Sequence, residues 1–548
     1  MSRFTEELYR SAQCSPRGLV SVVGGTPRRQ TWAEVRERAL RMAGALSALG
    51  IGPGGSVLIL AGQAWDVAPL VQAVWMRGAA VTILQQPTGR TDLEQWFGDT
   101  LRAAAMLGPS LFVVGEPCAD VAPALSAAGQ EVVSLGTLEL GEPTAPCPTA
   151  DTDIALRQLT SGSTGAPKAV EISFQNLSAM SAAMRTVLDC DPDEDVLVSW
   201  LPLFHDMGMI LFVVWPMHLG LEIVSTTPDH FIKNPRVWPD LIGRYRGTIT
   251  AGPDFSYAVL NRILDRAAPG TFDLSSLRVA VNGGEPINFS EIRRFVELGE
   301  KFYLRPEVPA PSYGMAEATL ALTTTSWREH PCGDRISMEA LVSERLAVPS
   351  AAESGSTIVT SVGSALDGVE IRIRDGSGGV PPARAVGAIE IRGDIVARRY
   401  VTENGPVDLA GPDGWFDTGD IGYLDEDSRL HICGRSKDVI IIGGNNIHPT
   451  EIERAAATVP GVRKGNVAAV AIAARDSARE GFAVLAESAL HEDGDHRRRI
   501  VSEVTKVVTR SVGHSPRSVQ VVAPGTLPKT TSGKLQRARA AALVDVCR

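Results

Sequence analysis

Lysine is scarce in this chain: of 53 basic residues only eight are lysine, and the rest are arginine. Cysteine is sparse as well. The seven cysteines are scattered without a Cys-x-x-Cys pair, which offers no zinc site and fits reduced thiols in a cytoplasm rather than a disulfide framework. Long hydrophobic runs are missing too. The most apolar stretch, Met207 to Val224, is interrupted by Pro216, His218 and Glu222 and reads as buried core, so no membrane insertion is expected. The N-terminus is charged and has no apolar core of the kind a signal peptide carries. A net charge of -10 argues against a nucleic-acid or anionic-membrane partner.

What is present is the composition of a soluble globular protein: 44% hydrophobic and 21% charged over 548 residues. Roughly three or four domains are expected at this length. Residues 1–150 alternate helical patterns (Thr31 to Leu49, Val67 to Met76) with short apolar strands (Val57 to Leu60, Leu111 to Val114). Such alternation predicts a parallel sheet wrapped by helices. A second α/β run extends to about residue 320. From about 355 to 433 the pattern becomes strictly alternating, as in Val369, Ile371 and Ile373, and predicts antiparallel strands in a sheet or barrel. After Asp438 a smaller α/β unit begins, and its stripe Ile500, Val504, Val507, Val508 and Val512 predicts a packed helix.

Half of the lysines fall in three short glycine-bearing segments. Lys168 closes Thr160-Ser-Gly-Ser-Thr-Gly-Ala-Pro-Lys168, Lys437 lies in Gly434-Arg-Ser-Lys-Asp438, and Lys529 and Lys534 lie in Leu527-Pro-Lys-Thr-Thr-Ser-Gly-Lys534. A compact, flexible ammonium suits a phosphate or a reacting carboxylate. The hydroxyls and glycines of Thr160, Ser161, Gly162, Ser163, Thr164 and Gly165 can wrap phosphate oxygens, although the spacing is not that of a Walker A loop. Gly50-Ile-Gly52-Pro-Gly-Gly55 satisfies the dinucleotide-binding fingerprint formally. It follows a helix and precedes a strand, the reverse of what that fingerprint requires, and is read as a turn.

Taken with Tyr313-Gly-Met-Ala-Glu317, Gly414-Trp-Phe-Asp-Thr-Gly-Asp420, Gly434–Asp438 and the stretch from Gly443 to Glu453, these loops resemble, in order, the motifs of the adenylate-forming superfamily in its acyl-CoA synthetase and fatty acyl-AMP ligase branch. The resemblance runs from about residue 20 to the end. It implies an α/β fold: a large N-terminal domain (1–433) of two doubly wound sheets plus a distorted β-barrel, a hinge (434–438), and a small mobile α/β C-terminal lid (439–548). Residues 321–361 resemble the insertion that restrains the lid in acyl-AMP ligases.

The resemblance also implies roles. Residues 160–165 with Lys168 would bind the β- and γ-phosphates of ATP, and Glu317 would hold Mg2+. Tyr313 would stack on adenine opposite Gly283, Gly284, Glu285 and Pro286, with Gly314, Met315 and Ala316 also lining the nucleotide. Asp420 would take the ribose hydroxyls, supported by Arg435. Lys437 would be the hinge, and Lys534 would bridge the substrate carboxylate and the α-phosphate. Gly443 and Gly444 would line the thiol channel. His205 would gate an acyl pocket formed by Phe204, Met209, Ile210, Gly252 and Phe255. Ala169 stands where the family usually has glycine. The activity implied is ATP-dependent conversion of an apolar carboxylic acid to acyl-AMP and transfer to the thiol of CoA. The alternatives are delivery to an acyl carrier protein, or a ligase running mainly the thioester-forming half from acyl-AMP.

Overall fold

The computed structural model describes residues 1–548 except 25, 88–90, 161–166, 376–380, 443–444, 473–480, 530–534 and 547–548. Two large mixed sheets dominate it. In the eight-stranded sheet, the strand Ser56–Leu60 pairs in parallel with Ala80–Ile83 and Leu111–Val114. Its side chains alternate between two cores. Val57 and Ile59 enter the main core, whereas Leu58 and Leu60 pack with Trp96, Leu107 and Phe112 on the other face. An unbroken apolar run, here Val57 to Leu60, is the mark of a sheet covered on both sides. The turn at Gly50–Gly55 connects the helix Trp32–Ala48 to this strand and opens no helix.

The nine-stranded sheet contains a parallel run of Gly18–Val23, Glu222–Ser225, Val196–Ser199, Ile249–Gly252, Val279–Asn282 and Pro309–Tyr313. Two placements differ from the linear reading. The strands Gly18–Val23 and Thr26–Thr31 belong to this second sheet, not to the one built by the other strands of residues 1–150. The strands Arg399–Thr402 and Gly405–Asp408 leave the antiparallel β segment and extend the edge of the eight-stranded sheet. Both are pairings across long sequence separations, which local patterning does not encode.

The remaining β segment forms a four-stranded antiparallel sheet of Val369–Arg374, Gly387–Gly393, Phe416–Leu424 and Leu430–Arg435. Beyond it, the strands Val467–Ile472, Gly481–Glu487 and Ser518–Val522 form a small sheet with the helices Pro449–Ala457, Gly494–Val512 and Arg537–Val546. Ile500, Val504, Val508 and Val512 are buried there, as their spacing predicts.

The hairpin Gly333–Ser337 and Ser356–Thr360 falls within residues 321–361 and shares one hydrophobic core with this C-terminal unit. Ile336, Met338, Leu341 and Val359 cluster with Ile440, Ile447, Ile452 and Phe482. Polar contacts reinforce the contact. Thr357 Oγ1 donates to Glu451 Oε2 (2.6 Å), and Arg454 donates to the carbonyls of Ile358 and Ile287 (both 3.3 Å). Among the described residues no helix is long and apolar enough to cross a membrane.

Candidate active site

The site forms where the two large sheets and the four-stranded sheet meet. The strands Ile154–Thr160 and Lys168–Ser173 are antiparallel neighbours, with Thr160 opposite Lys168. Ser161, Gly162, Ser163, Thr164 and Gly165 lie between them and outside the described residues, as do Gly443, Gly444 and Lys534. At the rim, Thr160 Oγ1 is buried and takes no hydrogen bond among the described residues. Ala169 is fully buried beside the strand Arg399–Thr402, where it pairs with Val401.

Lys168 reaches across to Glu317. Its Nζ lies 3.3 Å from Glu317 Oε1 and 3.9 Å from the centroid of the Tyr400 ring. The Tyr400 hydroxyl donates to the same Oε1 at 2.6 Å. Burial and the Glu317 carboxylate push the Tyr400 phenol far above its ordinary range, so it remains a donor. Glu317 is buried in a tight turn at Ala316–Ala318, and Thr319, which follows, holds φ at +65°. That conformation is strained for a β-branched residue. It is held by the bond from Thr319 Oγ1 to the Ile395 carbonyl (2.7 Å), so the turn that presents Glu317 is fixed from the neighbouring segment.

A second carboxylate, Asp420, stands on the strand Phe416–Leu424. It accepts the Tyr313 hydroxyl (2.6 Å) on Oδ2 and pairs with Arg435 Nε (3.2 Å) on Oδ1. Burial and the adjacent Asp420 charge raise the Tyr313 phenol well above its normal range. The hydroxyl of Tyr313 is therefore committed to Asp420, a contact that a stacking role on its own does not foresee. Gly314 must be glycine, because a Cβ there would sit 1.9 Å from the Leu320 carbonyl. Met315 is half-buried and Ala316 buried, in the stretch leading to Glu317.

Gly283, Gly284, Glu285 and Pro286 follow the strand Val279–Asn282 at its carboxyl end, where open α/β sheets bind ligands. Glu285 Oε1 accepts the Phe255 amide at 2.6 Å. Lys529 interacts electrostatically with Glu285 and donates to the Gly465 carbonyl at 2.8 Å. Lys437 lies in the turn Ser436–Asp438. Burial, then the Arg435 and Lys168 cations, lower its ammonium pKa, while Asp438 and Asp420 oppose the shift.

His205 Nδ1 sits 2.6 Å from Asp206 Oδ1, a contact that orients the ring. The Phe204 carbonyl accepts from Gln158 Nε2 (2.7 Å), which ties this segment to the strand entering the site. Met209 and Ile210 are buried in the π-helical turn Met207–Val214, whereas Phe255 is exposed at 36%. A Cβ on Gly252 would meet Trp238 at 3.0 Å. Trp238 belongs to an aromatic group in which Trp200 stacks on Phe231 (centroids 3.9 Å apart) and meets Phe255 edge-on.

Neither Trp200, Phe231 and Trp238 of this aromatic wall nor Tyr400 is marked by sequence pattern. Arg398-Arg-Tyr400-Val carries no glycine or diagnostic spacing, and only strand pairing brings Tyr400 to Glu317. A surface groove of about 550 Å³ lined by Arg374, Glu390, Asp413 and Trp415 shares no residue with these groups.

Among the described residues no cluster of three or more His, Cys, Asp or Glu side chains could cage a metal. The fit to Mg2+ rests instead on Glu317. Among the described residues its contacts fall on Oε1, leaving Oε2 for a hard cation that takes its other ligands from phosphate and water.

An arrangement of paired acidic and lysine groups at the carboxyl ends of parallel strands is suited to bringing a nucleotide and a carboxylate together, and sequence comparison agrees. The chain belongs to the AMP-binding enzyme family, which matches residues 8–401, and it is an acyl-adenylate-forming ligase. It is 45% identical to a putative ligase of Mycobacterium tuberculosis over 99% of this chain and 100% of that protein. It is 30% identical to a long-chain-fatty-acid–AMP ligase of Mycobacterium marinum over 93% of this chain and 90% of that one. A solved structure from work on fatty acyl-adenylate ligases of E. coli and L. pneumophila superposes with a TM-score of 0.89 at 26% identity, covering 100% of this chain and 98% of that chain.

Proposed function

We propose that this ligase activates an apolar carboxylic acid with ATP and passes the acyl group from acyl-AMP to a phosphopantetheine thiol. The observation that carries the reading is the convergence of Lys168, Glu317, Tyr313, Asp420 and Arg435 from four strands and one turn. Asp420, an acceptor-only carboxylate, takes the ribose hydroxyls. Lys168 and residues 160–165 bind the phosphates, and the face of Tyr313 meets adenine. Glu317 holds Mg2+, which when bound neutralises phosphate charge as pyrophosphate leaves.

Two anions must approach for the carboxylate to attack the α-phosphorus, so positioning and charge neutralisation carry the step. Lys534 supplies the remaining ammonium. Lys529, five residues earlier, is already beside Glu285 in this docked arrangement, which supports that assignment. For the second half, residues 439–548 turn about Lys437, withdraw Lys534 and open the passage at Gly443 and Gly444 to the thiol. Phe204, Met209, Ile210, Gly252 and Phe255, with His205 at the mouth, border the acyl pocket.

CoA and a carrier protein present the same thiol. The hydrophobic core shared by the 333–360 hairpin and the C-terminal unit opposes that turn for either acceptor, because turning the unit would expose it. Offering each acceptor to enzyme charged with one fatty acid separates the two. For the first half-reaction, Lys534→Ala should abolish pyrophosphate release over a panel of acids while sparing thioester formation from supplied acyl-AMP. Equal losses in both assays contradict the assignment.

A further inference from the structure

Tyr400 stands at the junction of three groups, and its position is imposed rather than incidental. The strand Arg399–Thr402 runs antiparallel to Lys168–Ser173, with Tyr400 opposite Val170 and Thr402 opposite Lys168. Tyr400 and Lys168 are thus diagonal neighbours on one face of the sheet, within reach of long side chains. The approach to the strand is pinned to the Glu317 turn by the Ala397 amide, which donates to the Glu317 carbonyl at 2.8 Å. An ion pair between Arg399 and the buried Glu171 pins the strand itself. The ring meets the Lys168 ammonium at 3.9 Å and the hydroxyl meets Glu317 at 2.6 Å, so one side chain contacts both members of the pair.

A cation and a carboxylate left to themselves tend to close into a tight pair that a ligand must then break. Here the phenol already occupies Oε1, so Lys168 shares that oxygen at 3.3 Å and rests partly on the aromatic face. This inference rests on the reading of Glu317 as the group that faces the metal–nucleotide. We propose that Tyr400 is a positioning residue that parks Lys168 against Glu317 and then keeps the carboxylate oriented when a magnesium-bound nucleoside triphosphate draws Lys168 away. The phenol holds Oε1 throughout, Lys168 exchanges the carboxylate for phosphate oxygens, and Oε2 stays presented to the cation.

The test is Tyr400→Phe, which deletes the hydroxyl and keeps the ring for Lys168. Titration calorimetry with a magnesium-bound, non-hydrolysable ATP analogue should show binding weakened by about 10-fold or more, the usual consequence of losing a hydrogen bond to a charged group. The magnesium concentration giving half-maximal analogue binding should rise in step. Metal-free AMP, which engages the Tyr313–Asp420 side of the site, should bind as to the native protein.

Equal losses for AMP and the magnesium-bound analogue would mark a merely structural role and overturn the proposal. So would native affinity and an unshifted magnesium midpoint in Tyr400→Phe while Glu317→Gln weakens the analogue, and that outcome leaves the reading of Glu317 standing. Native magnesium-dependent binding in Glu317→Gln would instead overturn both.

Discussion

Arg454 adds to the hold on the C-terminal unit that the shared hydrophobic core provides. It lies on the helix Pro449–Ala457 and donates to the carbonyls of Ile287 and Ile358, both on the large unit, while Nη1 also pairs with Glu451 at 3.0 Å. Arg454→Met removes the charged head but keeps an apolar stem of similar length to pack. Each of the two bonds is long at 3.3 Å and the side chain is 29% exposed. That places each at about 1 kcal/mol, below the value of a fully buried charged hydrogen bond, and the pair at about 2 kcal/mol.

On the proposed turning of the C-terminal unit, a loss of that size would shift the balance between docked and turned arrangements by a factor of about 30. If the turned arrangement forms the thioester, transfer from supplied acyl-AMP to CoA should rise by up to about 30-fold. If adenylation uses the docked arrangement, as proposed, pyrophosphate release with a fatty acid should fall. Stopped-flow transfer and a pyrophosphate assay on the same preparation measure both. A variant with native thermal stability in which the two rates stay unchanged, or fall together, refutes the idea that docking of this helix sets the partition.

Two further outcomes follow from buried carboxylates. Burial, opposed by hydrogen bonds from Asn282 and the Asn288 amide, raises the Asp254 pKa from 3.8 to about 6. Its contribution to stability is therefore fully present below the ordinary carboxylate range and is lost as pH rises through about 6. Asp254→Asn keeps Oδ1 for both donors, so its stability relative to the native protein should climb between about pH 4 and pH 7, by about 3 kcal/mol at most. Denaturant unfolding at a series of pH values reads it, and a flat difference contradicts the buried-charge account. Asp420→Asn should weaken AMP binding by about 10- to 100-fold, because an amide cannot replace the acceptor-only carboxylate that Tyr313 and Arg435 orient. Calorimetric affinity equal to that of the native protein would remove Asp420 from the ribose site.

Much of the fold is legible from local pattern. Thr31 caps the helix Trp32–Ala48 in a reciprocal box with Glu34, and the strand Leu111–Val114 coincides with its apolar run. Both are short-range effects, of hydroxyl chemistry and of two-sided burial. Pairings between remote segments are different. Nothing near Arg399 in the chain says that its strand will lie beside Lys168–Ser173, or that Gly18–Val23 will join Glu222–Ser225.

The chain by itself determined the chemical inventory: which loops carry lysine, glycine and carboxylate, in an order that names the adenylate-forming class. Only the tertiary structure decided what those groups do to one another. It set the phenol of Tyr400 on Glu317, the phenol of Tyr313 on Asp420, and the 333–360 hairpin in one core with the C-terminal unit. The physical reason is range. Capping and amphipathic spacing act within a few residues, whereas electrostatic pairing and shared burial depend on distances that exist only after the sheets have assembled.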